Sequence, residues 1–114
     1  MLTLYGIPNC DSCKKARKYL ESRNVEYAFH DVRADGVDRY MLQRWLRTIE
    51  WRALLNTRST TWRSLNDDEK TDVDRDRAVD LMLAHPTLIK RPVAESGEET
   101  MVGFSAERYA AFTA

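Results

Sequence analysis

At 114 residues, with 43% hydrophobic and 32% charged side chains, the chain has the size and make-up of one globular domain that buries a core without disulfides or a metal. Eighteen Lys and Arg balance eighteen Asp and Glu, so no net field draws it toward nucleic acid or an anionic membrane. No apolar run approaches the roughly 20 residues of a bilayer span, and MLTLYGIPNC lacks the basic segment and small-residue cleavage site of a secretion signal; the expected compartment is the cytoplasm, where thiols stay reduced.

Residues 2–6 alternate and break at Gly6, which predicts a short buried strand. Ile7, Pro8 and Asn9 form a turn. From Asp11 to about Arg23 the pattern is helical: Cys13, Ala16 and Leu20 recur on one face, with Lys14, Lys15, Arg17 and Lys18 between them, and Asn24 closes the helix. Residues 25–32 read as a second strand, and a right-handed crossover makes the two strands parallel.

The middle of the chain is helical. Leu42, Trp45, Leu46 and Ile49 mark an amphipathic helix entered at Gly36 and Asp38. Residues 51–55 form a short helix and residues 56–60 a polar loop. Asn66 with Glu69 is a capping box. Asp74 opens a helix with Ala78, Val79, Met82 and Leu83 inside, and it stops before Pro86. Leu88 and Ile89 lead into Lys90-Arg91-Pro92-Val93. Residues 95–99 form the turn of a hairpin between residues 93–94 and 101–104. Ser105 caps a last helix that buries Tyr109 and Phe112. The order is β-α-β, a helical insert, then β-β-α.

Cys10 follows a strand and a turn and precedes a helix. A helix N-terminus carries about half a positive charge and unpaired N–H groups, and both favour a thiolate. Such positions lower a cysteine pKa from near 8.5 to roughly 4–7. Lys14 and Lys15 add to this, while Asp11 opposes it. Cys13 has two readings: a resolving thiol that closes a disulfide on Cys10, or a small buried residue on the inner helix face. Zinc finds little support, because His30 and His85 stand 55 positions apart and no second close ligand pair exists.

The run G-I-P-N-C-D-S-C-K-K-A after a strand resembles the start of the arsenate reductase (ArsC)/Spx family, in particular its YffB-like subgroup. Leu54-Leu55-Asn56-Thr57-Arg58, Ile89-Lys90-Arg91-Pro92 and Gly103-Phe104-Ser105 resemble three further family segments, in order, along nearly the whole chain. The resemblance implies an α/β, thioredoxin-like (glutaredoxin-like) fold with a mixed four-stranded sheet. Residues 1–33 and 87–114 would form its core and residues 34–86 a helical insert, in one domain. It implies Cys10 as catalytic thiol, and leaves both readings of Cys13 open. It also implies a cis Arg91–Pro92 bond against the thiol, and Arg58 and Arg91 as anion-binding residues, with Asn9, Lys14 and Pro92 completing the substrate surround.

The implied activity is a thiol-dependent reductase with glutathione as co-substrate and no bound cofactor. Two departures turn it away from arsenate. No arginine lies in residues 100–104, where arsenate reductases of this type carry one, and Cys13 is an extra thiol. The second implied reading is an Spx-like regulator that binds RNA polymerase, with Cys10-x-x-Cys13 as a redox switch and no direct contact with nucleic acid.

Overall fold

The computed structural model describes residues 2–113. Strand β1, Leu2–Gly6, is the hub of a four-stranded sheet. Its alternation sends Leu2 and Leu4 to one face and Tyr5 to the other, so both faces of the strand are covered. Helix α1, Asp11–Ser22, buries Cys13, Ala16 and Leu20, as the helical spacing predicted.

Asn24 closes this helix at φ 56°, in the left-handed region. The Val25 N–H donates to the Leu20 carbonyl (3.0 Å) and the Asn24 N–H to the Glu21 carbonyl (3.2 Å), the pair of bonds of a Schellman motif. That closure accounts for one correction. The second strand begins later than expected, at Tyr27 (β2, Tyr27–Asp31), because the Val25 amide is committed to the helix end. β2 runs parallel to β1, from Leu2 opposite Tyr27 to Gly6 opposite Asp31.

The insert holds five helices: α2 (Arg39–Trp45), α3 (Trp51–Leu54), α4 (Thr60–Ser64), α5 (Asp67–Lys70) and α6 (Arg75–Ala84). Side-chain caps start four of them. The Asp38, Ser59, Asn66 and Asp74 side chains accept from the backbone N–H of Met41, Trp62, Glu69 and Arg77, and Asn66–Glu69 forms a reciprocal capping box. α2 stops at Trp45 rather than continuing to Ile49, which still packs on the core. The loop expected over residues 56–60 ends at Ser59, whose hydroxyl starts α4.

A 3-10 turn, Pro86–Leu88, leads out of α6. Leu55 and Ile89 then form an isolated antiparallel bridge, flanked by Asn56 N–H to Leu88 O (2.7 Å) and Lys90 N–H to Leu54 O (2.8 Å). This tie fixes the chain just before Arg91.

β3 (Val93–Ser96) and β4 (Glu99–Val102) complete the sheet in the order β2-β1-β3-β4, with β3 antiparallel to both its neighbours. The hairpin turn is shorter than expected: Glu95, Ser96 and Glu99 are in the ladder, and only Gly97 and Glu98 turn. Gly97 has φ 60°, which glycine adopts without a Cβ penalty. α7, Ala106–Phe112, is capped by the Ser105 hydroxyl and buries Tyr109 fully, while Phe112 is only half-buried.

The sheet separates two apolar clusters. On one face Leu2, Leu4 and Ala94 pack with Ala16 and Leu20 of α1 and Tyr109 of α7. On the other, Tyr5 and Val93 pack with Leu42, Trp45, Leu54 and Met82 of the insert. No helix among the described residues is long and apolar enough to cross a membrane.

Candidate active site

Cys10 is the N-cap of α1, with extended backbone (φ −141°, ψ 125°), and its carbonyl accepts the first helical bond from Lys14 N–H at 2.8 Å. The residue is half-buried and its thiol is free. Burial alone would push the thiol pKa up. The Cys13 backbone N–H, the Cys13 thiol and the Arg91 guanidinium together outweigh burial and hold it below the ordinary cysteine value. The Cys10 side chain makes no capping hydrogen bond, so the helix N-terminus acts on the anion electrostatically.

Cys13 is fully buried, and its thiol pKa is pushed up to about 11, first by burial and then by the negative charge of Cys10. It therefore stays protonated near neutral pH. The pair is divided by environment: one half-buried thiol favoured as an anion, and one buried thiol kept protonated.

Arg91 is anchored on the backbone just ahead of β3. Its Nη1 donates to the Thr87 carbonyl (2.9 Å) and, at 3.4 Å, to the Ile89 carbonyl, so the turn before β3 aims the guanidinium. Its Nε is buried without a partner. The Arg91–Pro92 peptide bond is cis, and Pro92 is fully buried with its carbonyl accepting from Gly103 N–H at 2.8 Å.

The other residues singled out by sequence, Asn9, Lys14 and Arg58, are exposed. Lys14 Nζ reaches Asn9 Oδ1 (3.4 Å) in an exposed contact, and neither Lys14 nor Lys15 is among the leading influences on the thiol. Arg58 is exposed in the loop before α4. Its backbone N–H is held by Asn56 Oδ1 (3.0 Å), and its side chain makes no hydrogen bond or ion pair among the described residues.

Arg108 lies in the last helix, α7, beyond residues 100–104. The structure folds that helix back: Arg108 Nη2 donates to the Val102 carbonyl at 2.6 Å, and the side chain lines a cavity together with Lys90 and Arg91. Gly103, at φ 82°, makes the reversal between β4 and α7. No motif in the sequence links positions 91 and 108.

His30 Nε2 is hydrogen-bonded to the Gly36 carbonyl (2.7 Å), and His85 Nε2 stands 4.0 Å from Glu69. Among the described residues no group of three or more His, Cys, Asp or Glu is placed to hold a metal ion.

A mixed sheet in the order 2-1-3-4, a cysteine at the start of the first helix and a cis-proline at the start of the third strand define a protein of thioredoxin-like fold. The chain belongs to the ArsC family, whose model matches residues 5–112. It is 41% identical over 111 residues to a protein of Haemophilus influenzae, covering 97% of each chain. It is 29% identical to the global transcriptional regulator Spx of Streptococcus pneumoniae, covering 98% of this chain and 85% of that one. Among solved structures, a YffB protein is 47% identical with a TM-score of 0.96 over the whole of both chains. An arsenate reductase (ArsC) related protein from Brucella melitensis is 46% identical with a TM-score of 0.76, covering 97% and 92% of the two chains. The family resemblance read from the motifs, including its YffB-like subgroup, is thus confirmed.

Proposed function

We propose that this protein is a thiol-dependent reductase that uses glutathione to reduce mixed disulfides. The observation that carries the reading is the Cys10 thiol, held below its ordinary pKa by Cys13 and Arg91 at the start of α1. In the reaction, the Cys10 thiolate attacks the glutathionyl sulfur of a disulfide R–S–S–G. The S–S bond breaks, R–S⁻ leaves and takes a proton, and a Cys10–glutathione disulfide forms. A second glutathione, as thiolate, attacks that glutathionyl sulfur. Oxidised glutathione leaves, and Cys10 returns as thiolate. The sum is RSSG + GSH → RSH + GSSG, with two electrons supplied by glutathione.

Arg91 stabilises the Cys10 anion at the start and end of the cycle. Its two carbonyl anchors hold it in place without reorganisation. Resolution by Cys13 is the slower route, since the burial that is the first cause of its raised pKa persists when the Cys10 anion has been consumed in the mixed disulfide. Asn9, Lys14 and Arg58 are proposed to meet the substrate from the exposed rim. The family's arsenate reductase members and the related structure from Brucella melitensis support a reductase; arsenate itself is not the proposed substrate.

The test is turnover of a glutathionylated small thiol with glutathione, followed by formation of oxidised glutathione. Wild type should turn over and Cys10→Ser should not; equal activity in the two would end this reading.

A second reading rests on the similarity to Spx along nearly the whole chain, with both cysteines of the C-x-x-C present. In it, Cys10–Cys13 oxidation switches binding to RNA polymerase. Oxidation-dependent capture of polymerase subunits, with no thiol turnover, is the result it requires.

A further inference from the structure

The helical insert carries a cavity of its own, of about 420 Å³, where α3, α4 and the turn from α5 into α6 meet. None of Cys10, Cys13 and Arg91 lines it. Trp51 of α3 and Trp62 of α4 line it together with Val73 and the buried Leu55. Asp72, at φ 52° in the left-handed region, turns the chain between Lys70 and Val73, which both face the space. The two indoles are half-buried and packed against the core cluster of the insert. Neither stacks on another aromatic ring among the described residues, so each keeps apolar surface for a ligand.

Two cations stand at the same cavity. The Arg52 guanidinium carbon lies 4.5 Å from the centroid of the Trp51 ring, a contact that holds the charge beside the indole. Lys70, the last residue of α5, is half-buried. Among the described residues neither cation joins an ion pair, and no residue lining the cavity is acidic. Glu69, the neighbour of Lys70, is engaged elsewhere: it closes the capping box with Asn66 and stands 4.0 Å from His85.

We infer that this cavity binds a small planar aromatic carboxylate, its ring against Trp51 and Trp62 and its carboxylate on Lys70 and Arg52. The inference is independent of the reductase reading. Apolar and aromatic walls with a few charged groups at this volume are the make-up of a small-molecule site. Indole faces take planar rings, and ammonium and guanidinium groups take a carboxylate through charge-assisted hydrogen bonds. The lining is less suited to a nucleotide. It offers no carboxylate or amide side chain to ribose hydroxyls, and no glycine to open a cradle of backbone N–H groups for phosphate.

The experiment uses 2-naphthoate at pH 7, with the neutral 2-naphthalenemethanol as its comparison, on the whole chain. The three tryptophans give three indole N–H signals in NMR spectra. Those of Trp51 and Trp62 should shift and saturate with a Kd of about 1 mM or below, while that of Trp45, fully buried and outside the cavity, should stay in place. The alcohol should bind about tenfold more weakly than the acid. Lys70→Gln and Arg52→Gln should each weaken the acid by about three- to tenfold and leave the alcohol unchanged. Trp62→Leu should weaken both ligands, and the two exposed-side charge variants decide the matter if that variant does not fold. No saturation by about 10 mM naphthoate would overturn the inference. So would equal binding of acid and alcohol, shifts led by Trp45, or wild-type affinity in the double variant Arg52→Gln/Lys70→Gln. Tighter binding of adenosine monophosphate than of naphthoate would overturn the carboxylate assignment.

Discussion

Gly6, the last residue of β1, lies directly against the sulfur of Cys13 on α1. A Cβ at position 6 would fall inside the van der Waals envelope of Cys13 Sγ, with the Phe29 ring close on the same side. The strand that carries the turn into Cys10 and the helix that Cys10 starts are thus locked together through the buried thiol.

Gly6→Ala should therefore destabilise the fold by about 1–3 kcal/mol, the cost of overpacking a filled core site. Cys13→Ala removes the sulfur that the new methyl meets. The double variant Gly6→Ala/Cys13→Ala should regain much of that loss, a coupling that a urea-unfolding double-mutant cycle measures. Additive losses would show that the glycine serves some other neighbour.

Cys10 should alkylate with a pH midpoint below the roughly 8.5 of a free cysteine. Arg91→Ala should move the midpoint up, because it removes a cation from the anion. Arg58→Ala should leave it where it is, since Arg58 is exposed and does not act on the sulfur. The sign for stability follows from the depressed pKa. The thiolate contributes fully above the unfolded cysteine value, and that contribution disappears as pH falls through the folded value. An iodoacetamide rate profile on the three proteins is the measurement, and an upward shift in Arg58→Ala would place that arginine at the thiol after all.

Cys13→Ser should retain glutathione-dependent turnover to within about threefold, since full burial disfavours the Cys13 thiolate even after Cys10 has entered the mixed disulfide. A loss larger than about tenfold in kcat, with the Cys10 alkylation profile unchanged, would make Cys13 the resolving nucleophile instead.

What the sequence made legible were features carried by near neighbours in the chain. Asp38, Asn66, Asp74 and Ser105 announce helix starts because a cap and its amide lie within three residues of each other. The thiol position and the cis-proline were legible because each belongs to a contiguous motif. Ser59 escaped notice because α4 buries none of its residues and shows no apolar stripe behind the cap. Glu95 and Ser96 read as turn residues because they are polar. They are strand residues because Tyr5 and Arg44, distant in sequence, satisfy the Glu95 carboxylate. Arg108 joins Arg91 only after β4 and α7 have folded around Gly103, a relationship that no local pattern encodes.

The Glu95 carboxylate is also where the insert is fastened to the sheet, and it makes a prediction about acid. Arg44 of α2 grips it with two bonds, Nε to Oε2 and Nη2 to Oε1, both 2.9 Å, and Tyr5 of β1 donates to Oε1 at 2.8 Å. The pair is largely shielded, with side-chain exposures of 26% and 12% for Arg44 and Glu95. Burial pushes the Glu95 pKa up, but the bonds from Arg44 and Tyr5 more than offset it and leave the carboxyl below its ordinary value. Burial, and then the bond to Glu95, push the Tyr5 phenol up to about 12. With a folded pKa below the unfolded one, the stabilisation is complete above about pH 4.5 and is lost as pH falls through the folded value. Glu95→Gln should cost about 1–3 kcal/mol at pH 7, between the values for exposed and fully buried pairs. The wild-type advantage should shrink steadily below pH 4. Because the pair touches neither Cys10 nor the cationic cavity, turnover per folded molecule should not change. A Glu95→Gln difference that persisted undiminished in acid would mean that packing, rather than the Arg44 charge, holds α2 against the sheet.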